Sequence, residues 1–350
     1  MLLRLSALLS ALIAASLVVL PMQVEAAQSA KKTASSQSKA KKKAVRTKQV
    51  RKQIAKAKSS KTRIVRKGKA RELAYAHKRV SKMRIARVSA QPSTMDELAL
   101  FSSAAVVVNA LSGERIFEKN ARAVAPIASI TKLMTAIVAL DMHLPLHEPI
   151  TITEEDVDTL KNSSSRLLVG TTLTRGEVMH LALMSSENRA AHALARTAPG
   201  GTAAFVARMN RTAQSLGMQN TRFLDPTGLN SGNVATAEDL IRLVQASNHY
   251  PEIRAYSTSE TYSFISSVNG REYQFNNTNP LVKNSTWEIG VSKTGYISEA
   301  GKCLVMQAVI NDTPVVIVLL DSAGKLTRIG DANRIKRWLE TSPAAILRAG

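Results

Sequence analysis

The chain contains one cysteine, Cys303, and so no intrachain disulfide. Cys303 lies in the apolar run Cys303-Leu304-Val305-Met306, where a buried structural thiol is expected. Aromatic residues make up 4% of the chain, and its most basic stretch has almost none, which removes the stacking platform used to bind single-stranded nucleic acid. The six histidines include no His-Glu-x-x-His. His143 and His147 are separated by Pro145, which spoils a shared helical face, so both read as loop residues and no metal site is expected. There is no Gly-x-Ser-x-Gly elbow, no glycine-rich phosphate loop and no internal repeat, and no cofactor is expected. Long hydrophobic runs are also missing. The stretch Leu5 to Leu20 covers sixteen positions and is interrupted by serines, short of the ~20 residues that cross a bilayer.

Acidic residues are scarce in one place only. Between Lys31 and Arg87 there are 23 Lys and Arg against a single acid, Glu72, and this segment carries the whole net charge of +22. Residues 1–26 read as a secretory signal: Arg4 opens it, Leu5 to Leu20 form the apolar part, and Val24-Glu25-Ala26 offers a cleavage site before Ala27. Residues 27–94 have too few large apolar groups to offset the entropy of ordering and read as a basic, disordered tether. Export argues against nucleic acid as its partner and favours anionic envelope polymer or phospholipid headgroups, with a solvated spacer as the plain alternative. The expected location is the periplasm, with the protein soluble or loosely attached to membrane or wall and no transmembrane span after signal cleavage. The segment after Trp338 is short and carries no long amphipathic stretch.

Residues 95–345 are expected to form a catalytic domain. Ala104–Val108 reads as a strand, Ser112-Gly113 as a turn and Arg115–Phe117 as a second strand. The segment 129–140 is apolar and free of Gly and Pro, which suits a buried helix. Thr174-Arg175-Gly176-Glu177 is a capping box for a helix running to Met184. Helices are expected over 190–195, over 203–216 with Gly217 as terminator, from Thr236 onward, and over 329–339. Asn269-Gly270 between 261–267 and 271–275 signals a hairpin with a type I′ turn. Strands are expected near 288–294, 304–310 and 315–320. Strands at both ends with helices between them indicate an α+β fold with a mainly antiparallel sheet.

Three short motifs follow one another in this domain: Ser129-Ile130-Thr131-Lys132, Ser186-Glu187-Asn188 and Lys293-Thr294-Gly295. Ser-x-x-Lys alone is weak, since the spacing recurs at Ser29/Lys32, Ser36/Lys39, Ser38/Lys41 and Ser322/Lys325. Only Ser129 stands at the start of a buried helix, where residues three apart share a face and Lys132 reaches its hydroxyl. A serine becomes a useful nucleophile when a neighbouring base takes its proton. A lysine serves as that base if burial, or a second cation such as Lys293, lowers its pKa. Ser231-Gly232-Asn233 and Ser267-Val268-Asn269 repeat the second pattern, but the first precedes a helix cap and the second overlaps a hairpin turn. Ser186 and Asn188 instead join two helical runs, a position that suits a proton relay to the leaving amine. On an edge strand, Lys293 and Thr294 suit a carboxylate, Gly295 allows a close backbone approach, and the N–H of Tyr296 suits an oxyanion hole with that of Ser129.

The segments Pro126–Ala136, Met184–Ala191, Asp225-Pro226-Thr227-Gly228-Leu229 and Val291–Tyr296 resemble the low-molecular-weight penicillin-binding proteins, the D-alanyl-D-alanine carboxypeptidases and endopeptidases, over about residues 97–340. Within that family the chain is most similar to the D-Ala-D-Ala endopeptidase branch, the penicillin-binding protein seven type. The resemblance implies a serine β-lactamase/DD-peptidase-like fold with a five-stranded antiparallel sheet flanked by helices. It also implies Ser129 as acyl-ester nucleophile, Lys132 as proton acceptor, Ser186 as relay and Lys293 as the substrate-carboxylate contact, and the residue reading adds Asn188, Thr294, Gly295 and Tyr296 as expected substrate contacts. Expected partners are peptidoglycan stem peptides or cross-links and β-lactams. Glu187 departs from the Gly of many carboxypeptidase-type relatives, which bears on the leaving group tolerated. A serine β-lactamase is the rival enzyme, but no Glu-x-x-Leu-Asn segment lies between the second and third motifs. A catalytically inactive wall-binding protein is the non-enzymatic alternative.

Overall fold

The computed structural model describes residues 98–341. The expected signal at 1–26, the basic tether at 27–94 and the domain's last few residues lie outside the described residues. The strand β1 (Ala104–Asn109) turns through Gly113 into β2 (Arg115–Lys119). The short β3 (Ala125–Pro126) leads through a single 3-10 turn, Ala128–Ile130, into helix α1 (Thr131–Asp141). A small ribbon of β4 (Pro149–Thr151) and β5 (Thr172–Thr174) precedes α2 (Arg175–Met184), α3 (Asn188–Arg196) and α4 (Gly201–Ser215). β6 (Val234–Ala235) pairs with β3 and is followed by α5 (Ala237–Ser247), α6 (Pro251–Thr258) and a hairpin of β7 (Thr261–Ile265) and β8 (Glu272–Asn276). The chain closes with β9 (Glu288–Ile297), β10 (Gly301–Ile310), β11 (Thr313–Ser322) and α7 (Thr327–Thr341).

The main sheet has the order β2-β1-β11-β10-β9, and every neighbouring pair in it is antiparallel. Both of its faces are buried, because successive side chains of a strand point to opposite sides. Val106, Val316, Val318 and Val305 belong to the core under the helices α1 to α5. Val107, Ile317, Leu319, Leu304 and Met306 pack on the other face against Ala332, Ile335 and Leu339 of α7. This double burial explains why the three long strands read as near-continuous apolar runs. Helix α1 is buried from Thr131 to Ala139 and runs through the first core. Its all-round apolar sequence fits a helix with no solvent face. Cys303 is buried as expected, and that burial pushes its thiol up to about 11.

Expected caps are present. Thr174 Oγ1 accepts from Glu177 N while Glu177 Oε2 accepts from Thr174 N, and Gly217 ends α4 at a φ of +73°. One expectation is corrected. The hairpin at 269–270 forms, but not through a type I′ turn, which requires φ > 0 at both central residues. Among the loop residues only Gly270 is left-handed, and the loop closes between Ser266 and Arg271 with Gly270 N donating to Ser266 O at 2.9 Å. Asn269 instead spends its amide on Arg271 N and Tyr273 OH.

Candidate active site

The nucleophile candidate sits on a strained turn between β3 and α1. Ala128 has a φ of +48°, a left-handed conformation that an L-residue adopts at a cost of about 1–2 kcal/mol. Ser129 follows it, half-buried, in the 3-10 turn rather than in the helix proper. Two glycines make this turn possible. A Cβ on Gly228 would lie 1.9 Å from Ala128 O, and one on Gly295 would lie 2.9 Å from Ile127 O and 3.2 Å from Ser129 N. The space at Gly295 therefore admits the protein's own backbone, where the sequence suggested room for a substrate's.

Lys132, on the first turn of α1, is buried, and its Nζ lies 2.8 Å from Ser129 Oγ. Two other acceptors hold the same nitrogen: Asn188 Oδ1 at 2.7 Å and the Thr227 carbonyl at 2.6 Å. Neither acceptor can give up a proton. In the neutral amine both N–H bonds are committed to them, and the lone pair is left facing the Ser129 hydroxyl. Burial lowers the Lys132 pKa from 10.5 to about 7, against the opposing pull of Asp225 and Glu187. The expected help from Lys293 is not what depresses Lys132. Lys293 is itself pushed well below its ordinary value, by burial first, then by the charges of Lys132 and Arg328. The repulsion between the two lysines is thus expressed on Lys293.

The loop Asp225–Asn230 supports the base. Asp225 Oδ1 accepts from Thr227 N, Thr227 Oγ1 and Gly228 N, and its Oδ2 from Asn230 N, which fixes the Thr227 carbonyl on Lys132. Asn233 lies beneath it, accepting from Leu224 N and Asp225 N and donating to Thr131 Oγ1. The rival pair Ser231/Asn233 is thereby explained as scaffold, and Ser267/Asn269 lies at the hairpin tip. Ser322, from another rival, is buried against Ser102.

The second motif lies on the connection between α2 and α3. Ser186 has a φ of +63°, and Leu181 O accepts from both Ser185 Oγ and Glu187 N as α2 ends. Ser129, Ser186, Asn188, Thr294, Gly295 and Tyr296 line one cavity of about 590 Å³. The third motif lies on β9, the edge strand of the sheet, where it faces this cavity. Lys293 does not line it. Its amine is buried and donates to Thr294 O at 3.0 Å, while Thr294 Oγ1 donates to Thr278 Oγ1 at 2.7 Å.

Residues not singled out from the sequence complete the cavity: Lys161, Ser163, Leu229, Thr278, Ile297, Ser298 and Arg328. Arg328 Nε and Nη1 are buried without a hydrogen-bond partner among the described residues, an arrangement that costs free energy unless an anion is supplied. The lining holds no carboxylate. Glu187 lies behind it, with Ser165 Oγ donating to its Oε2 at 2.6 Å and burial raising its pKa. The only signal for Arg328 in the sequence is a basic residue near the start of the last helix, which is too common to single out.

A family model for D-alanyl-D-alanine carboxypeptidase matches residues 88–324. The chain belongs to this family. It is 46% identical over 250 residues to a D-alanyl-D-alanine endopeptidase of Pseudomonas aeruginosa, covering 71% of this chain and 81% of that one. It is 43% identical over 278 residues to a D-alanyl-D-alanine endopeptidase of Escherichia coli, covering 78% and 88%. Among solved structures, a Streptomyces DD-transpeptidase superposes with a TM-score of 0.63 at 27% identity, over 69% of this chain and 97% of that one. A D-alanyl-D-alanine carboxypeptidase from Mycobacterium tuberculosis superposes with a TM-score of 0.62 at 26% identity, over 69% and 91%. The fold is therefore that of the serine DD-peptidases, and the chain is a serine-type D-alanyl-D-alanine peptidase, a hydrolase of cell-wall peptides.

Proposed function

We propose that this peptidase acts outside the cytoplasm as an endopeptidase on peptidoglycan cross-links, through an acyl-enzyme on Ser129. The observation that carries the residue roles is the Lys132 amine, held by two acceptors that cannot take its proton and by one hydroxyl that can lose its own. Lys132 takes the proton of Ser129 as its oxygen attacks the D-Ala carbonyl, forming the C–O bond. The oxyanion is met by the N–H groups of Ser129 and Tyr296, whose backbones the missing Cβ of Gly295 brings together. Ser186 passes the proton from Lys132 to the departing amine as the C–N bond breaks. Water then hydrolyses the ester.

The carboxylate beside the leaving amine meets the Thr294 hydroxyl and the guanidinium of Arg328, whose Nε and Nη1 have no partner among the described residues, with the Lys293 amine behind them. Asn188 is given a second duty as the acceptor that orients Lys132. The preference for cross-links rests on the two endopeptidase relatives, which share more sequence with this chain than does the carboxypeptidase named above. A β-lactamase-like turnover of penicillin has no support in the cavity, where no carboxylate stands to activate the deacylating water. The periplasmic location rests on the secretory signal in the sequence; among the described residues no helix is long and apolar enough to cross a membrane. The basic tether is proposed to hold the enzyme near anionic envelope polymer or phospholipid.

The test is mass spectrometry of defined cross-linked and uncross-linked muropeptides after incubation with the native protein and with Ser129→Ala. The native protein is expected to open cross-links and to carry a long-lived penicillin adduct. Cleavage retained by Ser129→Ala removes that serine from the mechanism, and release of terminal D-Ala alone overturns the endopeptidase preference.

A further inference from the structure

The base is oriented by Asn188, and Asn188 is oriented in turn by a segment to which no motif pointed. Residues 157–171, between β4 and β5, contain neither helix nor strand, yet polar contacts fix their place. Asp158 Oδ1 accepts from Leu160 N at 2.8 Å and from Lys161 N at 3.0 Å, and its Oδ2 accepts from Ser163 N at 2.8 Å. Asn162 supplies the left-handed residue of this tight loop, with a φ of +52°. Around it, Ser165 Oγ donates to Glu187, Leu167 O accepts from Arg189 Nη1, and Lys161 pairs with Glu299. The loop thereby sets Ser163 between Asp158 and the second motif.

Ser163 Oγ accepts from Asn188 Nδ2 at 3.0 Å, and the other end of that amide, Oδ1, accepts from Lys132 Nζ at 2.7 Å. A hydroxyl has one proton to give. Ser163 gives it to the Asp158 carboxylate: partial burial raises the Asp158 carboxyl, but this hydroxyl and the three loop amides outweigh burial and hold it below its usual range. A carboxylate only accepts, so every bond of the chain runs one way, from Lys132 through Asn188 and Ser163 to Asp158. The direction matters for the neutral amine. An ammonium would hold the Asn188 oxygen by its charge, whereas a neutral amine accepts as readily as it donates. With the amide reversed, its N–H would occupy the Lys132 lone pair, which has to take the Ser129 proton.

We propose that Asp158, acting through the Ser163 hydroxyl, is a positioning residue for acylation: it fixes the direction of the hydrogen-bond chain that ends on Lys132 and so keeps the lone pair of that amine free for Ser129. The proposal rests on the peptidase reading above and adds to it two residues outside the three motifs. Neither touches the reacting atoms; both act through Asn188.

The test is the rate of Ser129 acylation by a fluorescent penicillin as a function of pH, with a thermal melt of each variant. Ser163→Ala removes the hydroxyl and lets the Asn188 amide take either orientation, so acylation should slow about fivefold. Asp158→Asn keeps an oxygen for Leu160 N and Lys161 N but offers Ser163 an amide donor. The Ser163 proton then turns to Asn188, the amide reverses, and acylation should slow about fiftyfold. In the double variant the hydroxyl that carries the reversal is gone, so its rate should climb back to that of Ser163→Ala. Loss of a loop tie alone would instead make the double variant the slowest of the three. The pH profile separates the two accounts as well. A reversed amide sets donors against the ammonium, so the midpoint for Asp158→Asn should fall below the native value of about 7, whereas a loosened, wetter site would raise it toward 10.5. Asp225, Glu187 and Lys293, the other charges that face Lys132, are unchanged in every variant. A double variant slower than Asp158→Asn, an upward midpoint, or native rates in both single variants overturns the proposal. The peptidase reading stands in those cases, since the native protein is still labelled; no labelling of the native protein overturns both.

Discussion

Replacing Lys132 by methionine removes a buried amine whose pKa is about 7 in the fold, against 10.5 for the ordinary group. The folded value lies below the unfolded one, so between these limits the unfolded chain binds the proton that the folded chain lacks. Stability contributed by this group therefore rises with pH across that window. One pKa unit corresponds to about 1.4 kcal/mol, so from pH 7 to pH 9 the contribution grows by about 2 kcal/mol. Each kcal/mol moves Tm by about 2–4 °C in a domain of this size, so the Tm of the wild type should gain about 4–8 °C on that of Lys132→Met between pH 7 and pH 9. Lys293 adds to the gap, because loss of the Lys132 charge also relieves its own depression. The same amine sets the rate of acylation. Labelling of the wild type by a fluorescent penicillin should rise with pH, level off above about 7, and be about a hundredfold slower at pH 5. Parallel Tm-versus-pH curves for the two proteins, or an acylation rate flat from pH 5 to 8, would refute the reasoning.

Gly228→Ala should push its new Cβ into Ala128 O and move the Ser129 turn. A displacement of about 1 Å costs about a hundredfold in reaction rate, and burst labelling by penicillin together with a thermal melt would read both the rate and the strain. Arg328→Gln should lower kcat/KM about 10- to 100-fold for peptides with a free carboxylate beside the leaving amine, and much less for the matching amide; an equal loss on both would contradict the anchor. Glu187→Gly should cost about 1–2 kcal/mol by freeing Ser165 and the Lys161 segment, while Glu187→Gln, which keeps an acceptor for Ser165 Oγ, should retain most of the stability in urea unfolding.

Much of the fold was legible because its signals are local. The capping box at Thr174 and Glu177, the glycine stop at Gly217 and the apolar strands each state a conformation within a few residues. The hairpin turn misled because Asn-Gly marks a reversal, while the number of residues in the loop depends on how the flanking strands register. The short pairs β3–β6 and β4–β5 left no periodic trace, since two or three residues are too few to show one. In the site, Ser129, Ser186, Asn188, Thr294, Gly295 and Tyr296 were all named from the sequence, and the fold brings them to one cavity, with the buried Lys132 amine against the Ser129 hydroxyl. Lys293 was named too, but its amine points to the Thr294 carbonyl, a matter of side-chain packing that spacing does not report.

By itself the sequence determined the order of the motifs, the strand and helix segments that carry them, and the segregation of positive charge into residues 27–94. These follow from composition, periodicity and spacing, which are properties of neighbouring residues. Only the tertiary structure decided that the Thr227 carbonyl and Asn188 amide would hold the Lys132 nitrogen, that Arg328 would reach the cavity wall with its Nε and Nη1 unpaired among the described residues, and that Lys161 would pair with Glu299. Each of these joins residues far apart in the chain, and the energies that set them, burial of charge and pairing of buried donors, exist only after the chain has packed.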